Sequence, residues 1–294
     1  MALILSVLEQ GMIYGILALG VYITYKILDF PDLTVDGSFP FGAAITVRLI
    51  SGFGIPAILT LPVSFLAGAL VGMCTGLIHV KLKVRDLLCG IIMMTGLYTI
   101  NLWIAGSAYV PIFNKENIFD NAVVNGICPG FLSSFKVVII IFIITMIAKY
   151  LLDWYMSTKS GFLLRAVGDN DTIVTSLGVD KGMVKIMGLS IANGLVSMSG
   201  CIYAQQQRSF EISIGTGAVV IGLASVIIGT SLFKHMSLLR VTSSVLVGAI
   251  LYKACVALAM FAGIDATAIK LITAVLFLII LVISMDRGKK RGNA

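Results

Sequence analysis

Charged residues are scarce in this sequence, 12% of 294 positions against about a quarter in a typical soluble domain. That scarcity excludes a chain that folds with its whole surface in water. Histidine is rarer still, with only His79 and His235, and the five cysteines (Cys74, Cys89, Cys128, Cys201, Cys255) are scattered without a CxxC pair. Neither a zinc site nor a disulfide framework is indicated. No GxxxxGK[ST] loop occurs and no GxGxxG follows a strand, so the chain does not bind and hydrolyse ATP through those motifs. A GxSxG elbow, an HExxH pair and a paired carboxylate and histidine set are also missing, which leaves an enzyme without support.

What is present is apolar. Hydrophobic residues make up 59% of the chain and mean hydropathy is +1.04, the composition of an all-α polytopic integral membrane protein, with the lipid bilayer as its first partner. The net charge of +7 would suggest nucleic acid in a soluble chain. Here the basic residues lie between and after apolar runs, where positive-inside topology explains them, and nucleic acid is excluded.

Crossing a bilayer takes about 20 apolar residues. That length predicts eight full spans: Leu3 to Tyr25, Ile55 to His79, Leu88 to Ser107, Val137 to Leu152, Ile186 to Gln205, Gly217 to Phe233, Val241 to Ala262 and Ile269 to Met285. Ser38 to Ile50 is too short and reads as one further broken or re-entrant segment. The first run lacks a basic n-region and a small-residue cleavage site, so it reads as a retained span. Residues 1–294 are thus expected to form a single transmembrane domain.

Alternating spans collect fourteen of the twenty-one basic residues on one side, from Lys81, Lys83 and Arg85 through Lys149, Lys159, Arg165, Lys181 and Lys185 to the tail. Arg48, Lys115, Lys136, Arg208 and Lys270 fall on the other. The first side is then cytoplasmic, with the tail 286–294 inside, the loop 107–135 outside, and the N-terminus outside provided that Ser38 to Ile50 completes a crossing.

The longest charged interruption, Lys159 to Lys185, lies on the cytoplasmic side. Gly168 is expected to break the structure before it, Asp169, Asn170 and Asp171 offer N-cap oxygens, and Gly178 is placed for a left-handed C-cap. In the short helix between them Ile173, Val174 and Leu177 share a face. So short a helix is unstable alone, and its stripe needs a cover: headgroups, the chain's own packing, or a partner's groove.

A second distinctive stretch, Asp29 to Gly42, reads DFPDLTVDGSFPFG. Pro31, Gly37 and Pro40 disfavour a continuous helix there, and non-helical backbone at membrane depth is tolerated only beside protein or a wet path. Gly215 to Phe233 is again glycine-rich and follows a polar turn, and paired interrupted segments point to a central site. The candidate pathway residues are Asp32, Asp36, Gly37, Ser38, Phe39, Gly215, Gly222, Ser225 and Gly229. An ordinary solvated loop is the alternative for the first stretch. Lys253, mid-span, needs a partner or water, with Glu9 and Glu211 as candidates. Asn101 and Asn193 read as interhelical hydrogen bonds, and Gly68, Gly72 and Gly76 as a close-packing ridge.

Three stretches resemble the permease subunits of bacterial ABC importers of the branched-chain amino acid and ribose type. They are DFPDLTVDGSFPFGAAI (29–45), the long segment from Gly161 to Ala204 with Arg165, Ala166, Gly178 and Gly200 in family-like register, and GLASVIIGTSLF (222–233). DLTVDGSF is closer in wording to a subgroup resembling importers of aromatic amino acids or similar small solutes. The resemblance implies a multi-pass permease of the bacterial cell membrane, paired with a second permease copy, a homodimer being favoured over a heterodimer. Two cytoplasmic ABC ATPase subunits would bind the ATP, this chain itself holding no cofactor, and an extracellular substrate-binding protein or lipoprotein would deliver the solute. Arg165, Asp169, Asn170, Asp171, Ile173, Val174, Leu177 and Gly178 would then form the coupling region. The alternative is an ion-coupled secondary transporter in which Asp29, Asp32, Asp36 and Lys253 titrate or bind the driving ion; a membrane scaffold is a third class.

Overall fold

The apolar runs fold as helices, because inside a bilayer only a helix or a closed barrel satisfies every backbone amide. The structure, a computed structural model, describes residues 2–113, 115–121, 135–176, 178–233, 240–261, 271, 273–275, 277–279 and 282. In chain order the elements are α1 (Ala2–Val21), α2 (Val35–Gly52), α3 (Thr60–Leu82), α4 (Asp86–Ala105), β1 (Tyr109–Pro111), α5 (Lys136–Met156), α6 (Lys159–Asp169), α7 (Asp171–Ser176), α8 (Lys181–Gln207), β2 (Ser209–Glu211), α9 (Ala218–Leu232) and α10 (Val241–Phe261). Among the described residues seven helices are long and apolar enough to span a membrane, and they coincide with the first seven expected spans. The eighth, Ile269 to Met285, falls mostly outside the described residues, as does the tail 286–294.

The centre of the bundle is α8, which packs against α3, α2 and α1. Its contact with α3 is a backbone-to-backbone seam. A Cβ added at Gly72 would run into the carbonyl of Leu189, and one at Gly68 into Ser197 and the carbonyl of Asn193. Gly76 meets Ile186 in the same way, so the GxxxGxxxG ridge is a helix-packing device, as its spacing suggested.

Two ends of the bundle are distinguishable. At one, β1 and β2 form a short antiparallel ribbon, Tyr109 opposite Glu211 and Pro111 opposite Ser209. The buried Phe210, Ile112, Ile118, Ala204 and the α2 residues Ala43, Ala44, Val47 and Ile50 form a small apolar cluster there. At the other end, α6 and α7 lie between α5 and α8. The remaining core runs along α1, α8, α9 and α10, with Ile13, Leu17, Leu189, Val196 and Val245 all fully buried.

The second segment differs from its expected form. Ser38 to Ile50 belongs to one continuous 18-residue helix, with Gly37 and Pro40 inside it. The break lies earlier. α1 ends in a π-helical turn, Tyr22–Ile27, and residues 28–34 leave the helix with Asp29 at φ +51°. Pro40 is tolerated in the second turn of α2 because what it sacrifices is one hydrogen bond, the one to the Asp36 carbonyl. Gly168 also departs from expectation: α6 continues through it to Asp169. Its missing side chain instead leaves room for the Ile27 carbonyl.

Candidate functional site

α2 and α9 both begin inside the bundle, and they begin at the same place. The level is set by Asn193, the thirteenth of the 27 residues of α8 and thus about halfway along it. Its side-chain amide donates to Asp32 Oδ2 (2.8 Å) and to the Leu189 carbonyl (3.1 Å), while its oxygen accepts from Ser38 Oγ (2.7 Å). Asp32 Oδ1 accepts from the backbone N–H of Thr34 at 2.9 Å. Asp32, Ser38 and Asn193 are all buried, so each polar group has been taken from water and given a partner in exchange. Asn193 ties the entry to α2 onto α8.

One turn on, Asp36 reaches across to α9. Its Oδ1 accepts from the N–H of Val219 (2.8 Å) and its Oδ2 from the N–H of Gly217 (3.1 Å). The first amides of a helix have no intrahelical partner, and Asp36 supplies one from outside the element. Gly217 adopts φ +85°, a conformation open to glycine and strained for other residues, which turns the chain from the 3₁₀ turn Ile212–Gly215 into α9. Asp36 is itself in the first turn of α2, so its charge favours the N-terminal dipoles of both helices. From this joint α2 runs toward the ribbon and α9 toward the α6–α7 end.

The candidate pathway residues divide accordingly. Asp32, Asp36, Gly37, Ser38 and Gly215 gather at the joint. The Gly37 carbonyl accepts from Asn101 Nδ2 at 3.2 Å, and a Cβ at Gly215 would strike Asp36 and Pro40. Phe39 is fully buried against Tyr14, ring centroids 5.6 Å apart, with Tyr203 completing the cluster. Gly222, Ser225 and Gly229 lie at helix crossings: Gly222 beneath Leu17 and Val21 of α1, Ser225 and Gly229 against Gly248 and Ser244 of α10. Within one copy of the chain those three are packing positions.

The charges of the ion-coupled alternative do not form one group. Asp29 is exposed, Asp32 is held by Asn193 and Asp36 by α9. Lys253 finds neither Glu9 nor Glu211. Its ammonium lies over the Tyr14 ring at 3.7 Å and 3.5 Å from Gln10 Oε1, a cation–π contact plus an amide one turn apart on α1. Glu9 instead accepts from Gln206 at 3.0 Å. An apolar span carrying Glu9 and Gln10 side by side was the sequence signal for these partners.

At the α6–α7 end, Gly178 takes the left-handed conformation (φ +73°) and its N–H donates to the Thr175 carbonyl at 3.0 Å, closing the short helix as expected. Asp169 and Asn170 are exposed. Val174 is not available to a partner: it is fully buried in the main core, with Leu164, Val167 and Val184. The stripe is covered by the chain's own packing at that position. Leu177 lies outside the described residues, as do the side chains of Asp171 and Ile173.

Missed from the sequence was a buried carboxylate at the end of α5. Asp153 accepts from Thr242 Oγ1 (2.6 Å) and Arg240 (3.2 Å), and pairs with Lys149 at 3.5 Å. It fastens α5 to the start of α10. Equally unforeseen, Gln205 accepts from the N–H of Ile118 (3.0 Å) and donates to Thr60 (2.9 Å), holding the ribbon-end loop to α8 and α3. Among the described residues no three His, Cys, Asp or Glu side chains converge as metal ligands.

The family model for the permease component of branched-chain amino acid transport systems matches residues 3–285. The tyrosine transport system permease protein of Clostridioides difficile is 38% identical over 292 residues, covering 99% of this chain and 95% of that one. The ribose import permease protein RbsC of Haemophilus influenzae is 27% identical over 228 residues, 77% of this chain and 68% of that one. No solved structure matches.

Proposed function

Because this chain belongs to the ABC importer permeases of the branched-chain amino acid and ribose type, a transport subunit for small solutes, we propose that it carries an aromatic amino acid inward, with tyrosine the first candidate. The full-length similarity to a tyrosine permease and the DLTVDGSF wording both favour that class over sugars. Transport runs by alternating access, in a dimer of two such chains, driven by two ATPase subunits at the α6–α7 end and fed by a binding protein at the ribbon end. That arrangement puts the N-terminus outside and the C-terminus in the cytoplasm, in keeping with the basic residues of the sequence.

The observation carrying the mechanism is the Asp36 joint. Two helices that begin halfway through a bundle and share one carboxylate form a contact that a modest rotation of α9 can make or break. Interrupted helices meeting at mid-depth are the form such sites take in other transporters. Asp32, Asn193 and Ser38 hold the α2 side fixed while the α9 side moves. Within the α6–α7 end, Arg165, Asp169, Asn170 and Gly178 form the accessible part of the coupling surface. The sequence assigns Asp171, Ile173 and Leu177 to the same coupling role, and Val174 anchors the short helix from beneath.

The decisive experiment is uptake into proteoliposomes holding the permease, its ATPase and its binding protein, with labelled tyrosine, leucine and ribose compared. ATP-dependent uptake of tyrosine above the other two is the expected result. Uptake that persists without the ATPase and follows an imposed proton gradient would transfer the reading to the ion-coupled carrier.

A further inference from the structure

At the α6–α7 end, α5, α6 and the start of α10 line a cavity of about 800 Å³, of whose residues the transport reading uses Arg165 alone. Its charged lining is two arginines and one carboxylate, among the hydroxyls of Tyr22, Ser157 and Thr242. Arg165 of α6 and Arg240, just before α10, both face it, and the one carboxylate present, Asp153, is already matched by Arg240 and Lys149. Arg165 makes no hydrogen bond or ion pair among the described residues, and the Arg240 side chain is 70% exposed despite its contact with Asp153. Two arginines thus line a space with a surplus of positive charge.

The rim is aromatic. Tyr150, Trp154 and Phe162 line the cavity and are 61%, 68% and 61% exposed. Tyr150 and Trp154 occupy the last two turns of a membrane-spanning helix, the depth at which such rings sit among headgroups. Above them α5 continues as an open apolar face through Leu151, Ile147, Ile143 and Phe142. Cationic floor, aromatic collar and greasy wall follow one another along a single helix.

We propose that this cavity holds the phosphate of an anionic phospholipid between Arg165 and Arg240, with the acyl chains laid along α5. Guanidinium suits the task because its fork of N–H donors matches phosphate oxygens. A docked ATPase loop is the rival occupant. The continuity with the bilayer-exposed face of α5 favours lipid, since a soluble protein has no use for the apolar wall. Nothing in this inference depends on which solute is carried.

The test is native mass spectrometry of the purified full-length permease in mild detergent, titrated with phosphatidylglycerol or with phosphatidylcholine of the same chains. Phosphatidylglycerol should be retained over phosphatidylcholine, and Arg165→Gln should weaken that retention about fivefold, the weight of one interfacial cation. Arg165→Lys should keep most of it. Lys83→Gln, which removes a charge from the α3–α4 turn at the same end, should leave it unchanged. Because Arg165 has no ion pair among the described residues, its loss gives no reason for misfolding, and an unchanged unfolding temperature checks this. Equal retention of the two lipids, or equal weakening by Lys83→Gln, would overturn the proposal. So would displacement of the lipid by glycerol phosphate at equal concentration, which would assign the site to a soluble anion. An Arg165→Gln chain that keeps its lipid but no longer co-purifies with the ATPase would give the cavity to the partner protein.

Discussion

The mid-depth joint and the α6–α7 end solve opposite problems with the same kind of residue. At the joint the Asp32 carboxylate and the Asn193 amide are buried and hydrogen-bonded to each other and to Thr34, Ser38 and Leu189, so their geometry is fixed. At the α6–α7 end Asp169 and Asn170 are exposed, and the apolar stripe between them and Gly178 is partly spent on the chain's own core. A polar group inside a membrane protein must name its partner; one at the rim need not. The joint is therefore specified by this chain, whereas the rim presents its polar groups to the outside.

That contrast can be broken most forcefully at Asn193. Asn193→Leu strands the Asp32 carboxylate and the Ser38 hydroxyl in a buried site, and loss of a partner to a buried charged group costs about 3 kcal/mol or more. The expected outcome is a permease that fails to accumulate, or whose unfolding temperature in detergent drops sharply. An unchanged melting curve would mean that water reaches the joint and that the contrast is false.

Asp36→Ala should be next in severity for stability and greatest for transport. Two α9 amides lose their acceptor, a loss of about 1–2 kcal/mol as for other N-caps, while ATP-driven uptake falls to background. Assembly with the ATPase should survive. Transport at the wild-type rate would remove Asp36 from the mechanism.

A matched pair sharpens the rim side. Val174→Ala should lower stability by about 1–2 kcal/mol, because it empties space in a packed core, and leave the ATPase bound. Asp169→Arg should do the reverse, with unfolding unchanged within about 0.5 kcal/mol and co-purification of the ATPase reduced. If the two variants behaved alike, the division of α6–α7 between core and docking surface would fail.

The smallest effect is expected at Lys253. Replacing it by Met removes an ammonium whose desolvation the Tyr14 ring and Gln10 only partly offset, so stability should change by less than about 1 kcal/mol and in either direction. A large loss would show that Lys253 has a stronger partner than Gln10, and measuring it by unfolding in detergent is straightforward.

Much of the fold was legible because hydrophobic length in a bilayer is nearly a geometric constant: seven of the expected spans coincide with helices. The glycine ridge on α3 could be assigned to packing because its spacing of four leaves one face without side chains. The interrupted segments at Asp29 to Gly42 and Gly215 to Phe233 could be paired from their composition. Composition could not say that the interruption sits at residues 28–34 with Pro40 inside a helix, because a proline in an early turn costs one hydrogen bond and the helix can begin before it. Neither could it choose among three covers for the Ile173, Val174 and Leu177 stripe, since periodicity reports that a face is covered and is silent on what covers it. Asp153 escaped notice for the same reason: a carboxylate in the last turn of a span looks solvated until Arg240 and Thr242, nearly ninety residues away in sequence, are folded onto it.

The meeting of α2 and α9 at Asp36 has a mechanical corollary. Each helix brings roughly half a positive charge to its N-terminus, and here two such poles of the same sign face one another in the low-dielectric interior. The carboxylate is the pin that holds them together. Neutralise it and nothing offsets the repulsion between the two poles, so this one side chain decides whether the two helix ends attract or repel each other.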